Sequence, residues 1–136
     1  MDFVQHNIWL IALWGLSGFM LFSGGLRGRL SGVKQISPQE AVRLFNHEDA
    51  LVLDVREASE WMDGHIGRAK HVPMGQLGKR IEELDKYKTK PIVAVCRTGN
   101  RSAHACSVLR KAGFENVQNL DGGMVGWEQA GLPKEK

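Results

Sequence analysis

The sequence is poor in cysteine and carries no assembled metal-ligand pattern. Cys96 and Cys106 are the only two cysteines among 136 residues. The second falls on a helical pattern, so the two Cα atoms lie about 10 Å or more apart at a rise of about 1.5 Å per residue. A disulfide needs less than about 7 Å, so both read as free thiols, and free thiols point to a reducing compartment. There is no C-x-x-C and no histidine pair at ligand spacing; His6, His47, His65, His71 and His104 are scattered and read as surface or supporting residues. No metal is expected, and nothing implies a cofactor. A basic cluster interleaved with aromatics is also missing, so nucleic acid is not an expected partner. There is no internal repeat. With 43% hydrophobic and 24% charged residues the chain is not expected to be disordered.

Charge is nearly absent from the start of the chain. Residues 1–26 hold one acidic residue, Asp2, and no Lys or Arg, so the remainder carries 18 basic and 14 acidic groups. This mild excess favours anionic ligands or an anionic membrane surface. Ile8 to Leu26 reads IWLIALWGLSGFMLFSGGL, without one charged side chain. As a helix it spans about 28 Å, enough for a bilayer core. A signal peptide would have a positive n-region, a shorter apolar run and a small-residue cleavage site, and none of these is present. A buried core helix would show a polar face, whereas only Ser17, Ser23 and glycines interrupt this one. The stretch is therefore expected to be a transmembrane helix contacting the lipid bilayer, with Trp9 at an interface. It lacks a strict G-x-x-x-G and so gives no dimer signal. Arg27, Arg29 and Lys34 follow the span, and positive flanks stay cytoplasmic. The expectation is a single-pass protein of the inner (cytoplasmic) membrane. Residues 1–7 form a short outer tail, 8–26 the span, 27–35 a basic juxtamembrane linker, 36–133 a cytoplasmic domain and 134–136 a charged tail.

The domain opens on Ser37-Pro38-Gln39-Glu40, a capping box with proline at the first helical position. Ala41, Leu44 and Phe45 continue its apolar stripe. Ala50–Val55 reads as a buried strand that includes the carboxylate of Asp54. Ala58–Met62 reads as a short helix, Ala69–Val72 as a brief strand, and Leu77, Ile81 and Leu84 as one helix face. Pro91–Val95 has the length and β-branched content of a buried strand. Behind it Ala105, Val108, Leu109 and Ala112 fall at i, i+3, i+4 and i+7, a helix face. Val117–Leu120 is a further strand, and Met124 and Trp127 sit on a last helix. Alternating strands and helices predict an α/β fold with a mostly parallel sheet covered on both faces. Ligands of such sheets bind beyond the carboxyl ends of the strands, where Asp54 and Cys96 both fall.

Between the Pro91–Val95 strand and the following helix lies Cys96-Arg97-Thr98-Gly99-Asn100-Arg101-Ser102. A turn of this kind converges backbone N–H groups at the positive end of a helix dipole. A cysteine at its mouth gains a stabilised thiolate, the nucleophilic form. Arg97 and Arg101 add positive charge.

Three blocks resemble the rhodanese family of sulfurtransferases. Asp54-Val55-Arg56-Glu57 through Glu60-Trp61 to Gly64-His65-Ile66 is similar to the family's D-V-R-E-x-x-E-F/W-x-x-G-H-I. Cys96 to Ser102 matches its C-x-x-G-x-R-S active loop, and Gly122-Gly123, Trp127 and Gly131-Leu132-Pro133 its closing segment. One departure is Arg68, at a position where the family commonly has glycine. The resemblance implies a rhodanese-like fold in which Cys96 takes a sulfane sulfur from a small anionic donor such as thiosulfate. It would hold that sulfur as a persulfide and pass it to a thiol or cyanide. It further implies that Arg97, Thr98, Gly99, Asn100, Arg101 and Ser102 bind the substrate sulfur and that Asp54 and Arg56 support the loop. A membrane or sulfur-carrier protein is a further possible partner. Two other functions compete. Cysteine phosphatases place five residues between Cys and Arg, whereas four stand between Cys96 and Arg101, a smaller ring suited to one sulfur atom. A membrane-tethered interaction or redox-sensing domain is the other alternative. Cys106 reads as core.

Overall fold

In the computed structural model the backbone is described for residues 2–30 and 33–136, and side-chain surroundings for 3–20 and 33–136. The chain divides into two compact units, Met1–Gly32 and Val33–Lys136.

The first unit holds α1 (Asp2–His6) and α2 (Ile8–Leu30). Trp9, Trp14 and Phe19 on α2 are exposed, together with Leu10, Leu13 and Leu16. The helix does not end at Leu26. Arg27, Gly28, Arg29 and Leu30 continue it, where a linker was expected, because Arg and Leu are good helix formers and a single glycine costs only about 1 kcal/mol. Among the described residues no helix is long and apolar enough to cross a membrane. The side chains of 21–26, the last part of the expected span, lie outside the described residues.

The second unit is a five-stranded sheet in the order β1-β5-β4-β2-β3, with every pairing parallel. The strands are β1 (Lys34–Ile36), β2 (Leu51–Asp54), β3 (Lys70–His71), β4 (Ile92–Val95) and β5 (Val117–Leu120). The helices are α3 (Pro38–His47), α4 (Ala58–Met62), α5 (Leu77–Arg80), α6 (Asn100–Lys111) and α7 (Gly123–Gln129). Ser37 caps α3 by accepting from the Glu40 amide at 3.2 Å, with Pro38 opening the helix. Glu57 and Glu60 cap α4 reciprocally.

β2 and β4 are buried along their whole length, so their side chains alternate between two apolar layers. Leu53, Ile92, Ala94 and Cys96 face a core shared with Leu77 of α5 and with Ala105, Cys106 and Leu109 of α6. Val52, Val93 and Val95 face the other core, with Ala41 of α3 and Met124 and Trp127 of α7. This is the expected α/β layering, with helices on both faces of a parallel sheet.

Two local expectations are corrected, and the departure at Arg68 is accommodated. The segment carrying Leu77, Ile81 and Leu84 is one α-helical turn flanked by 3-10 turns, Met74–Gln76 and Ile81–Tyr87. Leu77 and Leu84 still reach the core, so burial is kept without a continuous helix. Arg68 adopts φ +65°, so the turn keeps the left-handed geometry that glycine would take freely, at about 1–2 kcal/mol. Finally, β1 begins at Lys34, ahead of Ile36, and pairs with β5, and Val33 is buried in the first core. The residues just before Ile36 therefore belong to the sheet.

A fragment comprising residues 33–136 is expected to unfold in one cooperative urea transition. A shorter fragment, 37–136, loses Val33 and Ile36 from the core. Burial of one such side chain is worth about 1.5–3 kcal/mol, so the shorter fragment should be less stable by roughly 3 kcal/mol. Equal midpoints for the two would show that β1 adds nothing to the fold.

Candidate active site

Cys96 follows β4 directly, and Gly99 caps α6 three residues later with φ +111°, a backbone conformation open to glycine. Cys96 is 1% exposed. Its Sγ accepts the Gly99 N–H at 3.0 Å and lies 3.3 Å from Ser102 Oγ. Burial pushes the thiol pKa up. The Ser102 hydroxyl and the amides of Ser102, Gly99 and Thr98 outweigh it and bring the thiol below its ordinary value of 9.0. Cys106, on the same helix and also buried, has no such set of donors; burial pushes it up to about 12. One thiol is thus shifted toward the thiolate and the other away from it.

The other candidates divide by position. Thr98, Gly99 and Ser102 turn donors toward the sulfur. Arg97, Thr98 and Asn100 present exposed side chains. Arg101 does not lie on the sulfur. Its guanidinium holds Glu60 with two hydrogen bonds, 2.8 and 2.9 Å, and Glu60 is held below the usual carboxylate range, chiefly by that contact. The positive charge of Arg101 still acts on Cys96.

Asp54 and Arg56 form a buried pair at the end of β2. Arg56 donates through Nε and Nη2 to the Asp54 carboxylate at 2.8–3.0 Å, and Nη2 also donates to the Gly64 carbonyl at 2.7 Å. The pair therefore ties the Glu57–Gly64 segment to the sheet. It meets the Cys96 strand through the β2–β4 ladder, where Asp54 stands opposite Val95. Two histidines gain a place that their scatter in sequence hides. His65 and His71 stack on the Trp61 ring, with centroids 3.5 and 4.7 Å away, and His71 Nε2 lies 2.8 Å from the Arg56 carbonyl.

Three residues of the site carried no assigned role at the sequence level. Glu60 was part of a motif but stood 41 positions from its partner Arg101. Asn119, on β5, donates Nδ2 to the Gly99 carbonyl at 2.9 Å. Gly123 opens α7 against the cysteine turn, where the Met124 amide donates to the Cys96 carbonyl at 2.8 Å and the Val125 amide to the Arg97 carbonyl at 3.1 Å. Beside the turn is a cavity of about 330 Å³, lined by Arg56, Glu60, Arg97, Met124, Glu128 and Lys134 among others. A larger cavity of about 620 Å³, bordered by Phe45 and Trp127, has no contact with the cysteine turn. The smaller one touches the cysteine turn through Arg97. Among the described residues no cluster could hold a metal ion.

A Cβ added at Gly123 would collide with the Cys96 carbonyl oxygen and sit 2.6 Å from the Arg97 carbonyl. Both are main chain and cannot swing aside, and φ is +55°. Gly123→Ala is expected to cost about 3 kcal/mol or more and to slow alkylation of Cys96, both measurable on one purified sample. A variant with wild-type stability and thiol reactivity would show that α7 does not hold the turn.

Comparison with known proteins agrees with this geometry. Residues 37–130 match the family model described as a rhodanese-like domain. The chain is 38% identical over 104 residues to YibN of Escherichia coli K12, covering 76% of this chain and 73% of that protein. It is 33% identical over 101 residues to the thiosulfate sulfurtransferase GlpE of Actinobacillus pleuropneumoniae serotype 3, covering 74% and 92% respectively. The crystal structure of a rhodanese-related protein from Thermoplasma volcanium superposes with a TM-score of 0.68 at 28% identity, over 75% of this chain and 97% of that one. With its cysteine turn at the end of a parallel β4, the chain belongs to the rhodanese-like domain family, among whose members are proteins named as sulfurtransferases.

Proposed function

We propose that the chain is a membrane-anchored sulfurtransferase that carries a sulfane sulfur on Cys96. The observation that supports this most directly is the buried Cys96 sulfur, met by the Gly99 amide and the Ser102 hydroxyl and shifted toward the thiolate. In the first step the thiolate attacks the outer sulfur of thiosulfate. A new S–S bond forms to Cys96, the old S–S bond of the donor breaks, and sulfite leaves with the bonding electron pair. Cys96 is left as a persulfide anion. In the second step cyanide, or a thiolate acceptor, attacks the terminal sulfur. Thiocyanate or an acceptor persulfide departs, and the Cys96 thiolate is restored.

Neither step needs a general base once the donors of the turn hold the nucleophile as its thiolate. What both steps need is a place for negative charge on sulfur, and fixed N–H donors provide it without reorganisation. A charge-assisted hydrogen bond of this kind is worth about 1.5–3 kcal/mol. Arg97, exposed on the cavity wall, is suited to meet the incoming anion. Arg101 adds positive charge beyond the sulfur while Glu60 holds it in place.

The first unit supports the anchor. Its long helix starts with an uncharged run, presents exposed tryptophan and phenylalanine, and has Arg27 and Arg29 in its final turns. In this reading it lies in the inner membrane with the rhodanese-like unit on the cytoplasmic side, where thiols stay reduced.

Incubation with thiosulfate should add the mass of one sulfur atom to the chain, and cyanide should remove it as thiocyanate. Cys96→Ser should abolish both steps, Cys106→Ser should preserve them, and Arg101→Ala should fold but load more slowly. Sulfur found on Cys106, or turnover by Cys96→Ser, would overturn the assignment. Failure of every donor to load either thiol would leave an interaction or redox-sensing role in its place.

The anchor is tested separately. The full chain should float with lipid vesicles, and residues 33–136 should remain in the soluble fraction. A full chain that stays soluble would rule the anchor out.

A further inference from the structure

Asn119 lies behind the cysteine turn, on β5, and is 2% exposed. Its amide is fully used. One Nδ2 hydrogen goes to the Gly99 carbonyl at 2.9 Å and the other to Gln35 Oε1 on β1 at 3.0 Å. A carbonyl can only accept, so the contact with Gly99 fixes which end of the amide is nitrogen. Oδ1 therefore faces Ser102 Oγ, at hydrogen-bond distance. An amide oxygen has no proton to give, so Ser102 must donate to it.

Ser102 thus has one proton and three acceptors in reach: Asn119 Oδ1, the Gly99 carbonyl at 3.2 Å and Cys96 Sγ at 3.3 Å. While Cys96 is protonated, the proton of Ser102 satisfies Asn119. Once the sulfur is an anion, that proton is drawn to it, since a bond to a charged acceptor is the stronger one. Gly99 is held on both sides of its Cα. Its carbonyl, in the peptide to Asn100, is gripped by Asn119, and its N–H, in the peptide from Thr98, points at the sulfur.

We propose that Asn119 is a positioning residue for the Cys96 thiolate: by gripping the Gly99 carbonyl it fixes the backbone at Gly99, and so the preceding peptide whose N–H bears on the sulfur, and it stores the Ser102 proton until the sulfur is charged. Asn119 touches neither donor nor acceptor and acts only through these two residues. Two titratable groups that act on Cys96 come from α6. Arg101 favours the anion with its charge, and Cys106 stays neutral. At the end of β2, Asp54 is already paired with Arg56. None of them contacts the amide of Asn119 or substitutes for it.

The two roles of Asn119 have opposite effects on the thiol, so the test separates them. In Ser102→Ala the hydroxyl is gone and only the amides remain. On that background, Asn119→Val, a strand-compatible change, removes the clamp together with the contact to Gln35, which does not touch the sulfur. The readout is the pH profile of Cys96 alkylation by iodoacetamide on the full chain, with the modified cysteine identified by peptide mass. The midpoint of the double variant is expected about one pH unit above that of Ser102→Ala, a tenfold loss of thiolate at fixed pH. An unchanged midpoint overturns the proposal, even if thermal stability falls, because a purely structural role would lower stability without moving the profile. If Asn119→Val does not fold, Asn119→Ala on the same background is read by the same criterion. The inference rests on Cys96 being the nucleophile, but alkylation needs no sulfur donor. A chain that alkylates as expected yet never takes up sulfur overturns the sulfur-transfer reading and leaves this one standing.

Discussion

A negative sulfur inside a protein has to be surrounded by donors that are already in place. Burial alone drives a thiol toward its neutral form, as Cys106 shows at about 12. Cys96 is equally withdrawn from water, yet its pKa falls. The difference is a turn of a few residues between a buried strand and a helix. Everything else of note in the second unit holds that turn rigid: β4 below it, α6 behind it, the start of α7 against its carbonyls and Asn119 from the next strand.

The same constraint explains how the charges are arranged. Positive groups around the site are nearly all restrained by acidic partners. Arg56 is locked to Asp54, Arg101 to Glu60, and Lys134 to Glu128. A cation tied in this way cannot fold over the sulfur and close it off, but its field still reaches the site. Arg97 differs, with an exposed side chain on the cavity wall. The result is a cavity whose wall is nearly balanced in charge.

Much of the fold was legible in the residue pattern because it depends on short-range rules. Val93 and Val95 alternate with Ile92 and Ala94, and both sets are apolar, which marks a strand buried on two faces. Ser37 and Pro38 announce α3 by capping chemistry alone. Where the pattern misled, several local solutions satisfied the same burial. Leu77 and Leu84 reach the core from one α turn and a 3-10 stretch as well as they would from a continuous helix. β1 escaped notice because a three-residue edge strand with two exposed side chains has almost no periodicity to read.

For the site, the sequence by itself singled out Cys96 as the candidate nucleophile, together with the turn that bears it and the edge of the sheet where it sits. Those follow from residue type and spacing along one continuous segment. Only the tertiary structure decided which groups serve the sulfur and which serve each other. Arg101 adjoins the nucleophile in sequence but lies on Glu60, from a helix 41 positions earlier. Asn119 sits at an ordinary-looking strand position, and its role exists only because parallel pairing sets β5 beside β4 and brings its amide to Gly99. Such contacts depend on which strands become neighbours in the sheet, and that order, β1-β5-β4-β2-β3, is a property of the folded chain.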